Sequence, residues 1–292
     1  MTLSPHGIVS LAFSIELVIL SLFNLLALYI MLLNRELRRH FHDYLLMALF
    51  VSHLVCAIMN LAFMGMILAK SFEGIDYVWK VRDGTAGFEF VFTILISIDR
   101  YFAIRRPFFY ARLRKSHAIL FVSLSMIAPI LFGIWRFFSD VVYYIACLIA
   151  VLCGVFISIS SILLYRSVKK QCEGIAKTIV ETSDKTRKSS KNDLRRRKLK
   201  SLKICIYIAA SYLFTWIPLI TVSAVQLLFQ FSGLYPFGFQ IVGFSNGIWD
   251  VLIYFYFNQR ARLKLLKVFR IKTANVVNTD IEMTTERVST EP

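Results

Sequence analysis

Charge is scarce in this chain, and what there is leans to one sign. Of 292 residues only 18% are Asp, Glu, Lys or Arg, yet 34 Lys and Arg against 18 Asp and Glu leave a formal net charge of +16. Asn-x-Ser/Thr sequons are absent, so no segment offers an acceptor for N-linked glycan. The five cysteines, Cys56, Cys147, Cys153, Cys172 and Cys205, lie within apolar runs or a basic segment, and none is placed to staple an outer surface. Internal repeats and interrupted helices, the usual marks of a transporter or channel, are not found. No basic-aromatic soluble module accompanies the positive charge, which argues against nucleic acid as a partner.

Apolar residues are what the chain has in excess: they make up 57% of it, against roughly 45–50% in a soluble domain. That composition is a membrane protein's. A lipid-spanning helix needs roughly 20 mostly apolar residues, and seven runs qualify, at about 8–33, 43–69, 77–104, 117–138, 140–167, 201–230 and 236–257. The third is the least clean, with Lys80, Arg82 and Asp83 near one end. The first is too long for a secretory signal and has no small-residue cleavage pattern, so it reads as an uncleaved first helix. After the seventh, Asn258 to Arg270 alternates cations with Leu263, Leu266, Val268 and Phe269, the pattern of an interfacial amphipathic helix.

The expected fold is therefore an all-α membrane protein: a seven-transmembrane helix bundle over residues 1–272, including a short amphipathic eighth helix at about 259–270. Residues 273–292 are polar, rich in Ser and Thr, and expected to be a disordered cytoplasmic tail.

Lys and Arg set the expected orientation. They concentrate at Arg35, Arg38 and Arg39, at Arg105, Arg106, Arg112, Arg114 and Lys115, and in the 13 between Lys169 and Lys203. Those segments are expected to be cytoplasmic, the amino terminus outside and the carboxyl terminus inside, in a multi-pass protein of the plasma membrane. The basic run from Arg195 to Lys198 suits both membrane lipid of the inner leaflet and partner docking. The outer connections are short, at Lys70 to Asp76, around Ser139-Asp140 and from Phe231 to Pro236. A ligand must reach into the bundle, so a small molecule, a lipid or a short peptide is expected.

Charged residues inside the spans are costly and mark function or a partner. The chain is organised around Ile96 to Tyr110, where Asp99-Arg100 ends an apolar run in which Glu89 is the one ionisable residue back to Gly87. The carboxylate can hold the guanidinium in check, a latch if something later draws Arg100 away. Helical rise adds a second feature. Asn24 lies ten residues from Asn34, His53 ten from Asp43, Glu89 ten from Asp99 and Asp250 eight from Asn258. At about 1.5 Å per residue they share one layer roughly 12–15 Å from the basic boundary, and Asn246 is assigned to it. His53 can face Glu89 there, as a structural ion pair or as a switch.

Arg82 lies 18 residues before Arg100, about 27 Å away, at the mouth of the presumed pocket. It can meet a ligand's carboxylate or phosphate, pair with Asp83 or Asp76, or snorkel to water. Trp216 lies at the pocket's floor, and the aromatic stripes read mainly as packing. Of the five histidines only His53 is well buried in a run, so no zinc site of the kind seven-span hydrolases need can be assembled. No catalytic residues, metal or cofactor are expected.

These residues together resemble a rhodopsin-like (class A) G-protein-coupled receptor over essentially the whole length. Asn24 matches the first-helix asparagine, Asp99-Arg100-Tyr101 the third-helix motif, Tyr165 the fifth-helix tyrosine, and Phe214-Thr-Trp216-Ile-Pro218 the sixth-helix switch. Asp250-Val-Leu-Ile-Tyr254 stands where the family has Asn/Asp-Pro-x-x-Tyr. The resemblance implies coupling to a heterotrimeric G protein through Asp99, Arg100 and Tyr101. It implies switching through Tyr165, Trp216, Pro218, Asp250 and Tyr254, and ligand contact near Arg82, Trp216 and Phe244. It also implies a receptor kinase and an arrestin acting on the tail.

The sequence departs from the family at several points. His53 replaces the second-helix aspartate that binds sodium in the family, Val251 replaces the seventh-helix proline, and Ile75 stands where the disulfide cysteine falls. The fifth-helix proline and the mid-helix tryptophan of the fourth helix are missing as well. The absent disulfide, the minimal second outer loop and Asp250 resemble melanocortin, cannabinoid and lysophospholipid receptors. Phe244 stands where opsins carry the retinal lysine, so a photoreceptor is excluded. A seven-span transporter, or a scaffold that does not couple to G proteins, is the alternative reading.

Overall fold

The computed structural model describes residues 5–38, 41–69, 75–113, 115–139, 141, 145, 148–160, 162–163, 165–166, 170, 206–207, 210–222 and 235–269. The described residues fold mainly into helices: α1 (Pro5–Leu33), α2 (Phe41–Leu68), α3 (Ile75–Arg105), α4 (Pro107–Ala111) and α5 (Lys115–Arg136). Further along come α6 (Leu148–Ser160) and α7 (Ala210–Val222), then α8 (Tyr235–Phe244), α9 (Asn246–Phe257) and α10 (Gln259–Val268). The basic segment at 171–205 and the tail at 270–292 lie outside the described residues.

α1 shows why the chain needs an apolar solvent. Phe13, Leu17, Leu20, Asn24, Ala27 and Met31 are buried, while Ile8, Leu11, Ile15, Val18, Leu22 and Leu25 on the opposite stripe are exposed. A helix apolar on both faces, with one face unburied by protein, belongs in lipid. Among the described residues three helices are long and apolar enough to cross a membrane, Ile8–Leu33, Phe41–Leu68 and Ser116–Arg136. α3 matches them in length, but Lys80, Arg82, Asp83, Glu89, Asp99 and Arg100 interrupt its apolar run.

α1 packs on α2, α2 on α3 and α3 on α5. The core is split in two. One apolar cluster gathers Ala27, Met31, Leu45, Leu49, Phe92, Ile96, Val251 and Tyr254 toward the Arg100 end of α3. The other gathers Phe13, Leu17, Cys56, Phe63, Trp216 and Phe244 toward the opposite end. Between them each of α1, α2, α3 and α9 turns a buried polar residue inward: Asn24, His53, Glu89 and Asp250.

Glycine sets the approach of α3 to α5. A Cβ on Gly84 would lie 3.0 Å from the Gly133 Cα, whereas a Cβ on Gly133 would lie 3.6 Å from the Gly84 Cα. Backbones this close let helices associate by van der Waals contact where lipid supplies no hydrophobic drive. Gly84→Val is therefore expected to push the two helices apart, an overpacking cost of about 1–3 kcal/mol, and Gly133→Ala to be tolerated. Thermal melting of the two variants in detergent checks this; equal melting temperatures would remove the contact from the account.

The seventh apolar run keeps its helical course from α8 into α9, the Ser245 amide reaching the Ile241 carbonyl at 3.1 Å, and is only tightened at Ser245. Its hydroxyl donates to the Val242 carbonyl at 2.7 Å, and the Ile248 and Trp249 amides both reach the Ser245 carbonyl, at 3.0 and 3.1 Å. A tightened turn results where glycines at 243 and 247 flank a back-bonding serine. At the other end of α9, Asn258 leaves the helical conformation and its Oδ1 accepts from the Ala261 amide at 3.1 Å, capping α10.

Candidate functional site

The buried polar side chains of α2, α3 and α9 meet between the two apolar clusters. His53 Nδ1 lies 3.1 Å from Glu89 Oε1, and its Nε2 lies 3.2 Å from Asp250 Oδ2. All three side chains are buried. The Nε2 contact has hydrogen-bond geometry, whereas Nδ1 and Glu89 stand at ion-pair distance with no hydrogen bond between them, so Glu89 meets the ring as a charge partner only when the ring is protonated.

The layer extends beyond these three groups. Asn246 Nδ2 donates to Asp250 Oδ2 at 3.1 Å, one turn away. Its Oδ1 accepts from Ser211 Oγ at 2.8 Å and Thr215 Oγ1 at 3.3 Å, tying α9 to α7. Asn24 Nδ2 donates to the Leu20 carbonyl at 2.8 Å and approaches the Gly247 carbonyl at 3.4 Å. Gly247 is required where it stands, since a Cβ there would lie 2.9 Å from the His53 ring.

At the end of α3, Arg100 Nε donates to Asp99 Oδ2 at 2.8 Å. Arg100 Nη2 also reaches the Tyr110 hydroxyl at 3.2 Å. Tyr110 sits on α4, which starts at Pro107 directly after α3 and folds the chain back over Arg100. Burial pushes the Tyr110 phenol up and the Arg100 guanidinium opposes it, so the hydroxyl stays neutral. Sequence reasoning quoted Tyr110 without assigning it this second hold on Arg100. Tyr101, the third residue of the motif, is 38% exposed.

At the opposite end a cavity of about 300 Å³ is lined by Arg82, Phe90, Pro129, Trp216, Gln240 and Phe244, among others. Trp216 is buried, its ring 4.5 Å from Phe90 and 5.8 Å from Phe244. Arg82 does not snorkel. It is buried, its guanidinium lies 4.9 Å over the Phe63 ring, and it forms part of the cavity wall.

The remaining predicted switch residues divide. Tyr254 is buried against Phe50, ring centroids 5.6 Å apart. Pro218 lies within α7, two residues past Trp216. Tyr165 is not drawn into the cluster. It lies beyond the end of α6 and is 49% exposed.

The chain matches the family model of the 7 transmembrane receptor (rhodopsin family) over residues 23–246. It belongs to that family: an all-α seven-transmembrane receptor, a multi-pass membrane protein that signals through G proteins. The match runs from just before Asn24 through Asn246, so it takes in most of the polar layer and stops short of Asp250. Rhodopsin-family receptors are generally not enzymes. No curated protein matches the chain.

Proposed function

We propose that this receptor sits in the plasma membrane with its amino terminus outside and its carboxyl terminus in the cytoplasm. It takes a small molecule, lipid or short peptide into the cavity beneath Arg82 and passes the signal along α3 to Arg100. The observation that carries the reading is that one helix, α3, bears both the cavity wall at Arg82 and the latched Arg100. Release of Arg100 from Asp99 and Tyr110 opens the cytoplasmic end to a heterotrimeric G protein. Asp250, Tyr254, Trp216 and Pro218 carry the rearrangement between the two ends. No bond is made or broken in this process.

Residues 1–272 form the receptor domain, with α10 lying along the inner membrane surface through its leucines and cations. Thr284, Thr285, Ser289 and Thr290 stand among Glu282, Glu286 and Glu291. Phosphates placed there by a receptor kinase extend an acidic strip suited to a basic groove on an arrestin.

One experiment tests both parts. The full chain and a chain truncated after Lys272 are expressed in cells reporting each G-protein class and arrestin recruitment. Both are expected to activate the same G-protein class, and only the full chain to recruit arrestin. Silence in every G-protein class at verified surface expression, with and without a membrane-lipid extract, would count against the reading. Equal arrestin recruitment by the truncated chain would count against the tail.

A further inference from the structure

We infer that the cavity under Arg82 takes an amphiphile with a single anionic head, a carboxylate or phosphate monoester, on a compact apolar body; this rests on the reading of that cavity as the ligand site. The wall is mostly carbon. Phe90, Pro129, Phe132, Trp216, Leu219 and Phe244 line it, and among the described residues Arg82 is its one charged side chain. No Asp or Glu among the described residues lines it. A cationic ligand would meet a like charge and, among the described residues that line the cavity, no acid, an arrangement that disfavours it.

The donors point the same way. A guanidinium offers more N–H groups than one neighbour takes up, in a fork that matches a carboxylate or phosphate. The Trp216 indole N–H is buried at the cavity without an acceptor among the described residues. That group can only donate. Leaving such a group unsatisfied in an apolar site is costly, so an acceptor entering beside it is stabilised. The Gln240 Oε1 is likewise buried without a partner among the described residues. It can receive a single hydroxyl from a ligand, or turn its amide to donate. At about 300 Å³ the space lies at the small end of ligand sites, which run to about 1,000 Å³. A compact acid fits it and a folded peptide does not.

The test uses the purified full chain in detergent, with thermal stabilisation as the readout, so that G-protein coupling does not enter. The probes are decanoate, decyl phosphate, decanol and decylamine. Decanoate or decyl phosphate is expected to stabilise the wild type, with decanol weaker and decylamine inert. Arg82→Gln is expected to weaken the anion's apparent affinity about tenfold or more, and Arg82→Lys to keep part of it. Ala86→Trp, which fills the cavity, should abolish the effect of every probe.

Decylamine or decanol stabilising the wild type better than decanoate, with the effect lost in Ala86→Trp, would overturn the anionic class while leaving the cavity as the ligand site. Full stabilisation of Ala86→Trp by decanoate would remove the cavity itself. No stabilisation by any probe would overturn the inference, as would an unchanged anion response in Arg82→Gln. The source of the acid is read with one probe, decyl phosphate, added from water to the receptor in detergent in one arm and partitioned into phosphatidylcholine vesicles that hold the receptor in the other. Stronger stabilisation in the vesicles at equal total probe assigns a membrane lipid, and equal or stronger stabilisation from water assigns a soluble acid.

Discussion

Arg100→Ala is expected to abolish both basal and ligand-stimulated G-protein activation while the receptor still reaches the surface. Arg100 is half-buried at the end of α3, where Asp99 and the Tyr110 hydroxyl hold it. Its removal takes out the cation proposed to enter the G-protein contact and leaves Asp99 buried without it, so surface expression is measured beside signalling. The latch itself is tested by the complementary change. A charge-assisted hydrogen bond contributes about 1.5–3 kcal/mol, so Asp99→Asn should move a two-state equilibrium toward the active form by about ten- to a hundredfold. Tyr110→Phe, which removes one neutral hydroxyl, should raise basal signalling less, by about fivefold for about 1 kcal/mol. Wild-type signalling in Arg100→Ala would sink the coupling role. Basal activity unchanged in both Asp99→Asn and Tyr110→Phe would leave the contacts as packing.

The second large effect belongs to His53. Its imidazole lies between Glu89 and Asp250, with contacts of 3.1 and 3.2 Å. His53→Leu keeps the volume and removes the cation, so two buried carboxyl groups face each other across an apolar gap. Breaking a buried pair by removing one partner costs about 3–5 kcal/mol. The variant should therefore melt well below the wild type and reach the surface poorly. Adding Glu89→Gln and Asp250→Asn removes the uncompensated charge, and the triple variant should recover most of the loss. A His53→Leu receptor as stable as the wild type would refute the ion pair.

The same arrangement bears on sodium. A sodium site needs a carboxylate without a competing cation, and here the second-helix position supplies the cation itself. Exchange of sodium for a bulky organic cation is accordingly expected to leave ligand affinity and basal activity unchanged. His53→Asp, which places another carboxylate in the layer, should create sodium sensitivity or lower expression. Inhibition of the wild type by physiological sodium would show instead that Glu89 and Asp250 hold the ion.

By itself the sequence determined the membrane class, the helix-forming runs and the depth of each polar residue within them. Those are local properties. Apolar length measures a bilayer span, and hydrogen bonding within the helix makes every residue rise by about 1.5 Å, so Asn24, His53, Glu89 and Asp250 could be set at one height by counting. The Asp99-Arg100 pair was legible for the same reason, being adjacent in the chain. Height, however, does not say which way a side chain turns or what it meets. His53 and Asp250 lie 197 positions apart, and their meeting depends on how α2 and α9 rotate and pack, with Gly247 clearing room for the ring. The same long-range packing left Tyr165 half-exposed, brought Arg82 into a cavity wall instead of to water, and laid Tyr110 over Arg100. Helix rotation is set by contacts between side chains far apart in sequence, and only the tertiary structure decides it.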